Sequence, residues 1–419
     1  MKKTKKVITT SLLTMFVFFS AGVMGNNQQD YEHYLQEANK IARDIYENTD
    51  DENVVEKILY IEKMYKESSV GALDILAQNL SDSYSFVGDY SRSLEMEDSR
   101  GIGVSPATIN LNNSQVMDAV DVITTMARER QIVMVNEAHH IPQHRVLTYR
   151  LLKGLWDAGY RYLALETLVH EYHDYVHESY IEEKAGYYTR EPLYSNLVLM
   201  AKKIGYELVA YDSNAGSINA RETEAAEAIL SQLDFSSNET KVLVHVGWGH
   251  INEISWLAGK LKQMSGIDPL TINQTEFRER SEEKFESSLY GEVVNFAEEE
   301  KFDAPFVIMS DNKLWVSSPE KYDINVFWPR TVQKMGRPEW VSLGRDSIPI
   351  SDHWCAEDYP CLVQVLKNDL DDVVPSDAVL LRSKGEAKSI YFNDTSDRVV
   401  IKNASGTVIY KEVISNIDE

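Results

Sequence analysis

Four short groups in the middle of the chain carry side chains that move protons or hold metals: Asn136-Glu137-Ala138-His139-His140, Glu166-Thr167, Asp212 and Gly247-Trp248-Gly249-His250. Eight of the ten histidines fall between His139 and His250 inclusive, so titratable groups concentrate in this stretch. A neutral histidine can take a proton from water, a carboxylate or second histidine can hold its tautomer, and an arginine can steady the oxyanion that follows. Arg145, just downstream of the first group, is the candidate for that last role, with Arg150 and Arg221 as further candidates. Alternatively, two histidines and a carboxylate can hold a divalent metal with an open position for water, and His140, Glu166 and His250 make such a set. Both routes end in hydrolysis.

These groups need elements to bring them together. Apolar runs at 131–135, 162–165, 207–211, 241–246 and 306–309 read as strands. Amphipathic stretches at 146–156, 193–204, 222–233 and 254–264 read as helices between them. Such alternation predicts an α/β domain at 114–335 with a mostly parallel sheet flanked by helices. In open sheets of this kind ligands bind beyond the carboxyl ends of the strands, and that is where the four groups fall. Asp212 also reads as a cap for the next segment, and His245, inside a strand, as a core histidine. Upstream, Tyr34, Ala38, Ile41 and Ile45 recur at helical spacing, as do Val55, Ile58, Ile61 and Tyr65, so 26–98 is expected to be a helical region. The extension 336–419 is less regular and ends in a β-hairpin, with strands near 399–402 and 408–410 flanking Asn403-Ala404-Ser405-Gly406.

The motif residues resemble a known superfamily. Glu137-Ala138-His139-His140 followed by Ile141-Pro142-Gln143-His144-Arg145, then Ala164-Leu165-Glu166 and Gly247-Trp248-Gly249-His250, look like the group joining erythromycin esterases, ChaN-like proteins and the TraB/Tiki proteins. Asn219-Ala220-Arg221-Glu222 is similar to the arginine-acid helix start of the esterase members. The resemblance spans roughly residues 130 to 260, and Asn136 stands where the family has glycine. It implies that Glu137 orients or activates, that His139 or His140 is the general base or a metal ligand, and that Glu166 holds the base or the metal. His250 would be the second histidine. The two adjacent histidines each fit one of the family's two motif spacings, and the longer spacing favours His140.

A second cluster, His170, His173 and His177, has spacings of three and four, which on a helix would place all three on one face and could hold haem or a metal. Cys355 and Cys361 are the only cysteines and close together; in an oxidising compartment they would close a small loop, while with His353 they would offer zinc ligands.

Composition bounds the rest. With 43% hydrophobic and 26% charged residues among 419, the chain can bury a large core. The formal net charge is -24, or -28 without Lys2, Lys3, Lys5 and Lys6 of the first 25 residues, which disfavours nucleic acid and anionic membrane surfaces as partners. Residues 1–25 read as a signal peptide: a lysine-rich start, an apolar run interrupted by Thr9, Thr10, Ser11 and Thr14, then small residues. The expectation is a periplasmic or secreted protein with no stable membrane anchor after signal removal. It would be a hydrolase acting on a small-molecule or peptide substrate, cleaving an ester, lactone or amide, with or without a divalent metal. The alternative is a haem- or metal-binding protein without catalysis, and a third reading is a scaffold whose N-terminal helices bind a protein partner.

Overall fold

A computed structural model of the chain describes residues 28–417 apart from 51, 52, 69, 214, 216, 369 and 387; the expected signal peptide at 1–25 lies outside the described residues. Four helices come first: α1 (Gln28–Asn48), α2 (Val54–Glu67), α3 (Val70–Phe86) and α4 (Tyr90–Ser99). Asn53 caps α2 by accepting from the Glu56 amide, and Val55, Ile58 and Ile61 form its buried stripe at the spacing read from the sequence.

The central part runs β1 (Ser114–Asp118), α5 (Ala119–Ala127), β2 (Ile132–Glu137), α6 (Gln143–Asp157), β3 (Tyr162–Leu165), α7 (Pro192–Ile204), β4 (Glu207–Ala210), α8 (Ile218–Gln232), β5 (Val242–Gly247), α9 (Leu257–Ser265), β6 (Leu270–Asn273), α10 (Ser288–Glu299), β7 (Phe306–Ser310), β8 (Lys313–Leu314) and β9 (Ile324–Asn325). Six strands form a sheet in the order β4-β3-β5-β2-β6-β9, and every neighbouring pair is parallel. The α/β expectation holds. Strands β2 and β5 are buried at every position, as befits strands covered by helices on both faces. One apolar layer includes Leu147, Leu151 and Leu155 of α6 with Leu197 and Val198 of α7. The other packs Ala226 and Ile229 of α8 and Leu261 of α9 against Met134 and Val244.

Two details differ from the sequence reading. The strand expected at 306–309 exists as β7 but leaves the parallel sheet, pairing antiparallel with β1 and β8. Its place in the alternation is taken by β6 and by β9, whose two residues are too few to show periodicity.

The last part holds β10 (Gln333–Lys334), β11 (Arg337–Pro338), β12 (Asp346–Pro349), β13 (Cys361–Leu366), β14 (Asp377–Leu381), β15 (Ser389–Phe392), β16 (Arg398–Asn403) and β17 (Val408–Val413). The expected hairpin is β16–β17, the edge of an antiparallel sheet ordered β14-β13-β16-β17. Cys355 and Cys361 are joined in a disulfide, which takes both thiols away from the zinc alternative, and His353 Nδ1 lies 2.6 Å from Ser351 Oγ.

The helical region and this sheet share a core. Ile58, Ile61, Leu76 and Leu80 pack with Leu362, Ala378 and Leu380 of β13 and β14. Gly88, with φ +68°, brings the chain so close that a Cβ there would meet the Ala378 carbonyl, and the Leu380 amide donates to the Val87 carbonyl at 2.8 Å.

Candidate active site

The carboxyl ends of β2, β3, β4 and β5 converge on two linked clusters. Glu137 ends β2 and is 1% exposed. Burial alone would raise its pKa, but Arg145, His245 and His139 outweigh that and hold the carboxyl well below the usual range. Arg145 donates to it twice, from Nε at 2.7 Å and Nη2 at 2.9 Å. The His139 Nδ1 lies 2.8 Å from Oε1, and the His245 Nε2 lies 2.8 Å from Oε2. A carboxylate accepts at both contacts, so each histidine places its proton on that nitrogen.

Arg145 comes from the first turn of α6 and is wholly buried. Its remaining donors reach Glu191 Oε2 at 2.8 Å and the His139 carbonyl at 2.9 Å. The expected role at an oxyanion is therefore corrected: the guanidinium is spent on Glu137, Glu191 and the loop between them, which makes Arg145 a positioning residue. Glu191 also caps α7 by accepting from the Tyr194 amide. The Tyr188 ring stacks on His139 at 4.0 Å between centroids.

The second cluster centres on Glu166, directly after β3. Its Oε2 accepts from the Gly247 amide at 2.5 Å, and its Oε1 accepts from Arg221 Nη2 at 2.9 Å. Despite burial, His250, His139, Arg221 and that amide draw its pKa down to about 2. Arg221 sits in the first turn of α8, which Ser217 caps, and also grips Asp212 at 2.9 and 3.0 Å. The start of α8 thus delivers Arg221 to Glu166 and Glu222 to His250. His250 Nδ1 lies 2.7 Å from Glu222 Oε1, and its Nε2 lies 3.7 Å from Glu166 Oε1. Burial works against the charged imidazole there, but Glu222 and Glu166 raise its pKa above the ordinary value.

Gly247 joins the clusters. A Cβ on it would collide with the His139 ring and stand 3.0 Å from Glu166 Oε2, so the absent side chain is what lets His139 and Glu166 share this space. The turns that present these groups are unusual: Thr167 and Trp248, just after β3 and β5, have φ of +66° and +38°. Strained backbone of this kind clusters at functional sites.

His140 goes elsewhere. Its ring stacks on Trp248 at 5.7 Å, its buried Nε2 has no hydrogen-bond partner among the described residues, and it lines a separate small cavity with His144 and Arg278. Burial and the Arg278 charge hold its pKa well below the usual histidine value. The slight preference for His140 over His139 is reversed, because only His139 is held by Glu137. The metal set of His140, Glu166 and His250 is not assembled, and among the described residues no group of three or more His, Cys, Asp or Glu is arranged to hold a metal ion.

The expected helix through His170, His173 and His177 is also absent. The segment forms a single 3-10 turn at Tyr172–Asp174 and isolated bridges, Leu168 with Gly186 and Val176 with Ile181. His170 and His173 are exposed, while His177 pairs with Glu182 at 3.1 Å. No common face for haem or a metal results. Arg150, the other arginine candidate, lies over the Trp328 ring at 5.8 Å, away from both clusters. His245, read as a core histidine, is that and more: besides Glu137 it meets Thr148 Oγ1 at 2.9 Å.

Sequence reading missed three participants. Glu191 before Pro192 was legible as a helix cap, but not as the second partner of Arg145. Tyr188 and Asp82 left no signal. Asp82, half-buried on α3, has its carboxyl pushed up to about 6, chiefly by burial and partly offset by His139, and the helical region meets the loop after β2 where the Ser93 hydroxyl of α4 donates to the His140 carbonyl at 2.8 Å.

No family profile matches the sequence, and no curated protein matches it. Among solved structures, one described as the type III effector HopBA1 is similar at 14% identity over 41% of this chain and 94% of that chain, with a TM-score of 0.29, too low to carry an argument.

Proposed function

We propose that the protein is an exported hydrolase, periplasmic or secreted, that cleaves an ester, lactone or amide in a small-molecule or peptide substrate. His139 is the general base that activates water. Glu137 accepts the Nδ1 proton and fixes the tautomer, which leaves Nε2 to take a proton from the nucleophile. Arg145 and His245 keep Glu137 ionised and immobile. On the other side, His250 between Glu222 and Glu166 carries positive charge more readily than an ordinary histidine, so it can stabilise a developing oxyanion or protonate the leaving group. The observation that carries this reading is the buried Glu137–His139 contact at 2.8 Å beside the Glu166–Gly247 contact. The resemblance to the erythromycin esterase, ChaN-like and TraB/Tiki superfamily supports the reaction class, and the Cys355–Cys361 disulfide supports an oxidising compartment.

The test is a panel of aryl esters, lactones and peptides assayed with purified protein and its variants. His139→Asn is expected to lower kcat by about 10²- to 10⁴-fold, the usual worth of a general base. His140→Asn, away from both clusters, is expected to retain most of kcat. Full activity in a folded His139→Asn protein would end the proposal.

A further inference from the structure

Beside the candidate active site lies a second recess that the hydrolytic reading does not use. A broad groove between α6, the 3-10 turn Glu339–Ser342 and the segment after β9 is lined by Tyr149, Arg150, Trp328 and Trp340. Four of its lining residues, Gln143, Trp328, Thr331 and Trp340, also line the small cavity that holds His140 and Arg278. The groove and that cavity therefore adjoin and share a wall.

The inner end holds polar groups without hydrogen-bond partners among the described residues. His140 is 4% exposed, and its Nε2 is a buried polar atom without a hydrogen-bond partner among the described residues. The Arg278 Nε is in the same condition. Among the described residues Arg278 donates from Nη1 to the Thr275 carbonyl at 2.5 Å and lies over the Trp248 ring at 5.2 Å, while Glu97 and Asp98 act on it only through their charge. The neighbouring arginines are neutralised: Arg280 pairs with Asp98, and Arg100 with Asp74 and Glu97. Glu279 also lines the cavity, with its Oε2 accepting from the Thr331 amide at 3.1 Å and from the Thr331 hydroxyl, and burial raises its pKa above the usual carboxylate value, which favours the neutral acid. A partly buried guanidinium that no carboxylate pairs directly among the described residues is costly, and an unsatisfied ring nitrogen adds to the cost. A planar anion would relieve both, because a guanidinium matches a carboxylate in shape as well as charge. Trp328 and Trp340 line both the cavity and the groove and give the recess apolar walls against which a ligand's body can rest.

We propose that this recess is a binding site for a small carboxylate ligand, with the carboxylate at Arg278 and His140 and an aromatic or apolar body between Trp328 and Trp340. The site stands on its own residues and does not require that the protein be a hydrolase.

Phenylacetate is the probe, titrated into the full-length mature protein and followed by calorimetry and by the fluorescence of the lining tryptophans, with phenylacetamide as the uncharged control and acetate as the control without a ring. Saturable binding of phenylacetate is expected, with phenylacetamide and acetate each weaker by roughly tenfold or more, the worth of a hydrogen bond to a charged group or of a buried ring. Arg278→Met is expected to lose about tenfold or more in affinity, whereas Arg278→Lys, which keeps the charge but not the planar fork, restores part of it and guards against a merely structural role for the side chain. Equal binding of phenylacetate and phenylacetamide, undiminished binding by folded Arg278→Met, or no saturable binding by the wild type would each overturn the proposal.

Discussion

At the scale of single residues, the site depends on close approach and on fully committed charges. Gly247→Ala places a Cβ against the His139 ring, which is already stacked on Tyr188. Overpacking of this kind costs about 1–3 kcal/mol, and here it also displaces the base. The expected outcome is a lower urea midpoint together with a loss of hydrolysis larger than the loss of stability explains; an unchanged kcat would show that the His139 position is not critical. Glu137→Gln keeps the shape but leaves Arg145, wholly buried, with Glu191 alone. Removing one partner of a buried ion pair costs about 3–5 kcal/mol, so denaturation should show a loss of that order. Much of this was readable beforehand: Glu137, Glu166 and His250 sit at strand ends where their types and spacing pointed. The choice between His139 and His140 was not readable. Adjacent residues leaving a strand end point in different directions, and which one meets Glu137 depends on the path of the following turn.

At the scale of elements, the parallel strands were legible because β2 and β5 are continuous apolar runs, and the helices because their apolar stripes recur every three to four residues. The histidine stripe shows where that logic fails. Spacings of three and four describe a helix only if a helix forms, and the segment after β3 is instead held by bridges to residues near 181 and 186. The union of the N-terminal helices with the C-terminal sheet was equally hidden, since Leu76 and Leu380 lie far apart in sequence. Leu76→Ala, at a fully buried position in that shared core, is expected to cost about 2–5 kcal/mol. The helices and the sheet should then lose protection from hydrogen exchange together. Loss confined to the helices would show that the two parts are not energetically coupled.

At the scale of the whole molecule, buried histidines give stability opposing dependences on pH. His140 and His144 are held well below the ordinary histidine value, both chiefly by burial. Groups with depressed values contribute stability that is present above the unfolded value near 6.5 and is lost as pH falls below it, by at most about 1.4 kcal/mol per pH unit each. His250 is raised, so its contribution is complete below about 6.5 and is lost as pH rises through its folded value. Glu166, at about 2, keeps its contribution above roughly 4.5 and loses it as pH falls from there. Urea midpoints should therefore fall on acidification below about pH 6.5, and His140→Leu should flatten that fall. An unchanged slope in the variant would show that His140 is not among the groups taking up protons.

Local pattern was enough to establish an α/β chain with acids and histidines at its strand ends, because strand and helix periodicity and the position of polar groups just past apolar runs are properties of neighbouring residues. The partnerships were not available at that level. That Arg145 serves Glu137 and Glu191 instead of a substrate, that Arg221 joins Asp212 to Glu166, and that His140 turns toward Arg278 all follow from which distant segments the sheet order brings side by side. Burial then makes those encounters binding, since a charge removed from water must find its partner within reach.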